Sequence, residues 1–256
     1  MNNSLKSAAV KVPALTLGFW LVKIAATTLG ETAGDAVTMS MKLGYAIGYA
    51  IGTAIFAVAF VAAVAAQIRA RSFHPLLYWF TIVATTTAGT TLADLVDRSL
   101  GIGYLGGSAL LLACVLGTLA LWYRTTGTVA VTAIASPRDE AFYWTTIMFS
   151  QTLGTALGDW FADDGGLGFE GAALVFGAAL ALVALLYFVP RVSRTALFWA
   201  AFILTRPLGA TVGDFLDKPH AEGGLALSRF SATAVLAVFI LASIFLLPQR
   251  AARRSA

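Results

Sequence analysis

Long apolar segments separated by short polar links dominate the pattern along the chain. Eight such segments, each of about 20 residues, lie near 17–38, 44–67, 76–96, 102–123, 141–161, 167–189, 195–216 and 226–247. A helix of that length crosses a hydrocarbon core of roughly 30 Å. The period-2 alternation of membrane barrel strands is missing. The pattern therefore predicts one all-α polytopic membrane domain over 1–256, with eight transmembrane helices.

Every second segment repeats the same residues in the same order. The four copies align without a gap as FWLVKIAATTLGETAGD (19–35), YWFTIVATTTAGTTLAD (78–94), YWTTIMFSQTLGTALGD (143–159) and FWAAFILTRPLGATVGD (198–214). A second apolar segment follows each copy, so one repeat is two helices, near 17–70, 76–124, 141–190 and 195–248. Because each repeat has an even number of spans, all four point the same way and their terminal aspartates lie at one depth.

Four tandem repeats, each with two spans and a fixed tryptophan, resemble a family of bacterial membrane proteins described only as carrying a repeat of unknown function. The tryptophans are Trp20, Trp79, Trp144 and Trp199, and the resemblance covers essentially the whole chain. It implies a location in the bacterial inner membrane and no particular activity. Function must therefore be argued from the residues.

Composition and charge agree with a membrane protein. Hydrophobic residues make up 59% of the chain and charged residues 12%, and the mean hydropathy is +0.81. Most Lys and Arg lie at the termini and in the loops after even-numbered spans, whereas Lys42, Arg98 and Lys218 lie in the opposite loops beside several aspartates. The positive-inside rule then places both termini in the cytoplasm. This bias explains the pI near 9.4 by topology and contact with anionic lipids, and we expect no nucleic-acid partner.

Small residues recur four positions apart in the odd-numbered spans, a spacing that lets helix backbones approach closely. The glycines concerned are Gly30, Gly34, Gly89, Gly154, Gly158, Gly209 and Gly213. They predict that the four odd-numbered spans pack around a common centre in a pseudo-fourfold arrangement. The second helix of each repeat, almost wholly apolar, would form a lipid-facing outer layer.

Carboxylates outnumber cations within the odd-numbered spans. The carboxylates are Glu31, Asp35, Asp94, Asp159 and Asp214, and the cations are Lys23 and Arg206. An Asp at the middle of a membrane helix costs about 3 kcal/mol, so three unpaired carboxylates must be protonated, hydrated or bound to a cation. The alternative is that each Asp only ends its helix and accepts hydrogen bonds from the glycine-rich link that follows.

A polar position lies deeper in each odd-numbered span and is occupied by Thr27, Thr86, Gln151 and Arg206 in turn. Glu31, one turn nearer the Asp, is replaced by Thr or Ala in the other repeats. If the repeats close into a ring, the first and fourth are neighbours, and we predict an ion pair between Glu31 and Arg206 with a separation of about 6 Å or less. Glu170 and Arg229 are candidates for a second pair.

The start of each odd-numbered span predicts an interface with lipid headgroups. The aromatic–Trp pairs suit the cytoplasmic headgroup level, where an amphipathic ring is stable. Lys23, one turn further along, is expected to extend its ammonium group to the same interface.

Oxygen ligands from Asp, Glu, Thr and Gln suit hard cations such as Mg²⁺, Mn²⁺, Na⁺ or protons. We therefore predict a transporter of a small inorganic cation, with proton coupling as an option. Thr27, Thr86, Gln151 and the five carboxylates would bind the ion, and Lys23 and Arg206 would compete with it as counter-charges. A cation channel with the aspartates at its outer mouth is the alternative, although fixed positive charge in the pathway argues against it.

Other classes of function have less support. The sequence offers no Ser/His/Asp set, no H-E-x-x-H motif and a single cysteine, so neither an enzyme nor a bound cofactor is predicted. A lipid- or pigment-binding protein, with an aldehyde on Lys23 and Glu31 or Asp35 as counterion, remains open. A structural membrane subunit also remains open, and the 124–140 loop carries no prediction.

Overall fold

The computed structural model describes residues 10–39, 45–134 and 136–252, and at 45 and 46 the backbone alone. Four basic residues used in the orientation argument lie outside these ranges: Lys6, Lys42, Arg253 and Arg254. Eight helices lie within them: α1 Leu17–Thr38, α2 Tyr45–Arg69, α3 Pro75–Asp94, α4 Tyr104–Thr126, α5 Pro137–Asp159, α6 Gly168–Leu186, α7 Arg194–Asp217 and α8 Arg229–Leu246. The described part contains no strand beyond an isolated bridge between Pro13 and Ala251, so the all-α prediction is confirmed.

Local signals explain where the odd-numbered helices begin. The side chains of Thr16 and Ser193 accept hydrogen bonds from backbone amides of the first turns of α1 and α7. Ser136 and Asp139 form a reciprocal capping box at the start of α5. These caps satisfy amides that have no partner inside the helix, and the aromatic–Trp pairs lie within the first eight residues of these helices.

The odd-numbered helices form a closed cycle of contacts. Helix α1 contacts both α3 and α7, and α5 contacts the same two helices. Each even-numbered helix packs mainly on the odd-numbered helix of the next repeat: α2 on α3, α4 on α5, α6 on α7, and α8 on α1. The last helix therefore closes the assembly against the first, and each repeat depends on its neighbour to cover its inner helix.

Burial separates the helices into an inner and an outer layer, as the sequence predicted. The odd-numbered helices bury most of their length, whereas Val58 of α2 and Leu174 of α6 are each 70% exposed. Five described helices are long and apolar enough to cross a membrane: α2 from Ile47 onward, α4, α6, α7 and α8.

Glycines lie at the contacts between successive inner helices. A Cβ atom built on the motif glycine of one repeat would lie closer than 3.0 Å to the polar position of the next: Gly30 to Thr86, Gly89 to Gln151, Gly154 to Arg206, and Gly209 to Thr27. One turn further along, a Cβ atom built on the second small residue would also press against the next repeat: Gly34 against Thr90, Gly158 against Ala210, and Gly213 against Glu31. Small residues thus let the polar positions enter the contacts between helices.

The end where the odd-numbered helices begin, here called the tryptophan end, is closed by aromatic rings. The aromatic residue of each repeat contacts the Trp of the next, with ring centroids 5.4 Å apart for Phe19–Trp79, 5.7 Å for Tyr78–Trp144, 6.2 Å for Tyr143–Trp199 and 6.0 Å for Phe198–Trp20. Most of these rings are buried. Neighbouring repeats and the covering chain enclose the rings, and their level relative to the lipid headgroups stays a prediction.

That covering chain consists of the N-terminal segment and the 127–134 loop. Val12 and Ile134 belong to the same buried core as the aromatic rings. The Trp199 indole donates a hydrogen bond to the Val129 carbonyl at 3.0 Å. Lys11 forms an ion pair of 2.6 Å with Glu140 and donates to carbonyls at the end of α2. The loop whose place the sequence left open docks against the inner helices.

Candidate ion site

The opposite end, here called the aspartate end, carries the four motif aspartates in buried ion pairs. Asp35, Asp94, Asp159 and Asp214 are 1–3% exposed. Asp94 and Asp214 each have a cation four residues later, beyond the end of the inner helix. The prediction that three carboxylates lack partners is wrong, because those two cations were left out of the charge count.

Arg98 bridges the aspartates of the second and third repeats. Its Nε lies 3.1 Å from Asp94 Oδ1 and its Nη2 lies 3.2 Å from Asp159 Oδ2. The π-helical turn Leu95–Ser99 continues α3 past Asp94 and carries Arg98. The guanidinium also lies 5.8 Å from the centre of the Tyr104 ring, so it is held from three directions.

Lys218 bridges the aspartates of the fourth and first repeats in the same way. Its Nζ lies 2.6 Å from Asp35 Oδ2 and 3.1 Å from Asp214 Oδ1. A third carboxylate, Asp217, joins this group, and oxygens of Asp35, Asp214 and Asp217 all lie within 4.8 Å of one another. Among the described residues this is the one set of three metal-ligating side chains so close together.

A cavity of about 630 Å³ opens above the two bridges. Its lining includes Arg98, Lys218, Arg229, Asp163 and Glu222. Arg98 and Lys218, whose side chains bridge the four motif aspartates, are thus accessible from the aspartate end. The tryptophan end is closed by rings and by the covering chain.

The ion pair predicted between the first and fourth repeats is present at the centre. Arg206 Nη2 lies 2.9 Å from Glu31 Oε2 and donates hydrogen bonds to Thr90 Oγ1, at 2.6 Å, and to Thr155 Oγ1. Glu31, Thr90 and Thr155 occupy equivalent positions in three repeats. One guanidinium therefore connects all four inner helices, and both partners of the ion pair are buried.

Two other polar positions at this level have no hydrogen-bond partner within the described protein. The Gln151 amide lacks a partner on both its nitrogen and its oxygen, and so does Thr86 Oγ1. Both side chains are 0% exposed. Thr27, in contrast, donates to the Thr205 carbonyl of the adjacent helix at 3.0 Å. Buried polar groups normally have a hydrogen-bond partner, which ordered water or a ligand can supply where the protein does not.

Lys23 is buried among the inner helices, so the prediction that its ammonium group reaches the lipid headgroups is wrong. It is 0% exposed, its Nζ donates to Thr205 Oγ1 at 3.3 Å, and it lies 4.2 Å from the centre of the Phe202 ring. The N-terminal segment and the aromatic contacts cover this end of α1, which explains the burial. No carboxylate of the described residues forms an ion pair with it.

A family model described as Repeat of Unknown Function (DUF347) matches the chain four times, at residues 18–73, 77–128, 142–193 and 197–251. The chain belongs to the DUF347 family. The four matches follow the repeats read from the sequence and place each motif aspartate within one match. No curated protein and no solved structure matches this DUF347 chain.

Arg98, Asp217 and Lys218 of this DUF347 chain were not predicted as site residues. A signal for them does exist in the sequence, since DLVDR (94–98) and DFLDK (214–218) share the pattern D-x-x-D followed by a cation. The pattern is confined to the second and fourth repeats. Comparing the repeats beyond their last shared Asp would have revealed it.

Arg229 also has a different partner from the one predicted. Its Nε lies 3.4 Å from Asp217 Oδ2. No ion pair joins it to Glu170 in the described part of the chain. Arg229 begins α8, which packs on α1, so it reaches the group of carboxylates between the fourth and first repeats.

The charged residues beyond the helix ends have shifted pKa values. Burial acts to lower the pKa of Lys218, but the carboxylates of Asp214 and Asp35 outweigh burial and raise this pKa well above its ordinary value. Lys218 is therefore a fixed positive charge while it remains between them. Burial raises the pKa of Asp97 to about 6, and Arg98 opposes the shift.

Proposed function

We propose that this chain is a transporter of a hard cation in the bacterial inner membrane, with all eight helices crossing the bilayer and both termini in the cytoplasm. The length of α1, α3 and α5 and their enclosure by apolar outer helices support eight spans. The closed cycle of inner helices and the repeated glycine contacts support a pseudo-fourfold arrangement. The tryptophan end would then face the cytoplasm.

The observation that carries this proposal is that buried carboxylates below an open cavity are held by side-chain cations. Ionised groups in a membrane interior are costly, and they mark ion pathways when they face a cavity. Carboxylate oxygens that bind an ammonium or guanidinium group can also bind a hard metal ion or accept protons. The aspartate end thus has the ligands of a cation site.

The contacts at the centre of the four inner helices favour a carrier over a channel. Arg206 connects the four inner helices, and the aromatic contacts close the tryptophan end beyond it. A conducting pore would need an open, hydrated passage at this point. In a carrier, movement of the inner helices would break the contact of Glu31 with Arg206 and open the other end.

Ion flux into proteoliposomes tests the proposal. The chain would be compared with Asp35→Asn and Glu31→Gln across a panel of monovalent and divalent cations, with and without a proton gradient. Asp164→Asn is the matched control, because that carboxylate is exposed in the link after α5. We expect both site variants to lose uptake that the control retains. Equal uptake by all of them would contradict the proposal.

A further inference from the structure

We propose that Asp35, Asp214 and Asp217 form a binding site for a divalent hard cation, in which the ammonium group of Lys218 is the exchangeable internal occupant. The site's role in transport rests on the proposed function, whereas its ability to bind a metal ion does not. Magnesium and manganese belong to the chemical class that it fits, because all its ligands are carboxylate oxygens.

The geometry of the three carboxylates suits one small ion. Their nearest oxygens lie within 4.8 Å of one another. Ligands on opposite sides of Mg²⁺ or Mn²⁺ are about 4.2 Å apart when each metal–oxygen distance is about 2.1 Å. Small side-chain rotations would therefore bring one oxygen from each residue into a first coordination sphere. Water from the adjacent cavity would complete it.

Asp217 gives an independent indication of a ligand. Its side chain is 0% exposed, yet neither of its oxygens accepts a hydrogen bond, and Asp214 Oδ1 also lacks one. Arg229 approaches Asp217 to 3.4 Å without hydrogen-bond geometry. Buried carboxylate oxygens normally have hydrogen-bond partners. One oxygen of Asp217 lies within 4.8 Å of an oxygen of each of the other two carboxylates, so an ion bound among them would supply the partner that this side chain lacks.

The charge of the group selects a divalent cation. The three carboxylates, together with Lys218 and Arg229, leave one negative charge. A divalent ion in place of the ammonium makes the group neutral, whereas a monovalent ion leaves its charge unchanged. Because uncompensated charge is costly at a buried site, the divalent form is favoured.

Lys218 can leave without unfolding the inner helices. It follows the last residue of α7, at a position where the backbone is already extended. Its flexible stem borders the cavity of about 630 Å³, so rotation of the side chain moves the ammonium group from the carboxylates into the open space. Binding of the metal ion and release of the ammonium group would then be one exchange.

Mn²⁺ binding to the purified full-length protein, followed by the electron paramagnetic resonance of the free ion, tests the site. We expect Asp217→Asn to weaken Mn²⁺ binding by about tenfold or more, because one charged ligand is lost. Asp97→Asn is the matched control at the equivalent position of the second repeat, and we expect it to change the affinity less than about twofold. Lys218→Met should tighten binding by about tenfold, because the internal competitor is gone.

Misfolding would weaken Mn²⁺ binding in every variant. The tighter binding expected for Lys218→Met therefore cannot result from misfolding. Equal binding by Asp217→Asn and the unaltered chain, or no gain in Lys218→Met, would overturn the site. If these variants bind like the unaltered chain while proteoliposomes still take up cations, the site is wrong and the transport proposal stands. If binding changes as expected but no cation crosses the membrane, the site stands and the transport proposal fails.

Discussion

The aspartate end has two halves that use one motif with different cations. Arg98 joins Asp94 of the second repeat to the third, whereas Lys218 joins Asp214 of the fourth repeat to the first. The fold supplies the same bridge twice, four residues after an Asp. A guanidinium binds carboxylates through a rigid fork, but an ammonium is a compact charge on a flexible stem. The same geometry can thus produce a fixed bridge in one half and an exchangeable one in the other.

The difference between the halves extends along the inner helices. Lys23, Glu31 and Arg206, the charged residues of the centre, all belong to the first and fourth repeats. The second and third repeats have neutral polar residues at the level of Arg206, with Gln151 as its direct equivalent. The four repeats therefore divide into two unlike halves, and we infer that the half formed by the fourth and first repeats binds the ion.

Removal of the central arginine should have the largest effect on stability. Arg206→Met leaves Glu31 buried without its partner, so we expect the free energy of unfolding to fall by about 3–5 kcal/mol. Gln151→Met, the equivalent change in the other half, removes an amide without hydrogen-bond partners and should cost less than about 1 kcal/mol. Denaturant unfolding in detergent measures both. Adding Glu31→Gln to Arg206→Met should recover part of the lost free energy of unfolding. Similar losses in Arg206→Met and Gln151→Met would contradict the difference between the two halves.

The two bridging cations should differ in rescue by metal. Arg98→Met and Lys218→Met each leave a pair of buried carboxylates, and we expect a loss of about 1–3 kcal/mol because both cations adjoin the open cavity. Mn²⁺ at about 100 times its dissociation constant should restore about 2.7 kcal/mol to Lys218→Met, since the metal binds only the folded state. Thermal unfolding with and without Mn²⁺ gives the result. Equal rescue of Arg98→Met would show that the halves are interchangeable.

A small effect is expected at the tryptophan end. The hydroxyl groups of Tyr78 and Tyr143 lie 2.7 Å apart, whereas the first and fourth repeats have Phe19 and Phe198 at these positions. Tyr78→Phe makes one half resemble the other and should cost about 1 kcal/mol, the usual value of one hydrogen bond. Mn²⁺ binding should stay the same. A change in Mn²⁺ affinity would mean that the aromatic contacts influence the site directly.

The repeat pattern was sufficient to predict the inner helices and one long-range contact. Matching positions in four parallel repeats imply neighbours across each contact, and ring closure then places Arg206 beside Glu31. Sequence spacing also gave the inner and outer layers, since small and polar residues are confined to alternate helices. It could not show that each outer helix packs on the next repeat, because apolar faces of similar composition fit either neighbour.

The environment of Lys23 and the aromatic rings could not be predicted in this way. Counting helical rise gives depth along a helix, but burial depends on what covers that depth. Here the cover comes from the N-terminal segment and the 127–134 loop, whose few apolar residues give no periodic signal. The bridging cations were missed for another reason, since the aligned motif ends at the Asp and the π-helical turn that carries Arg98 begins just after it.

The central claim is that the Arg98 bridge is fixed and the Lys218 bridge is exchangeable. Replacing each of these cations by the other residue type tests it most directly. Initial rates of Mn²⁺ uptake into proteoliposomes would be measured for Lys218→Arg and Arg98→Lys, at equal amounts of folded protein. We predict that Lys218→Arg lowers the rate by about tenfold or more, because the guanidinium fork resists displacement, and that Arg98→Lys keeps at least about half of it. Uptake by Lys218→Arg at the unaltered rate, or equal losses in both variants, would contradict the account.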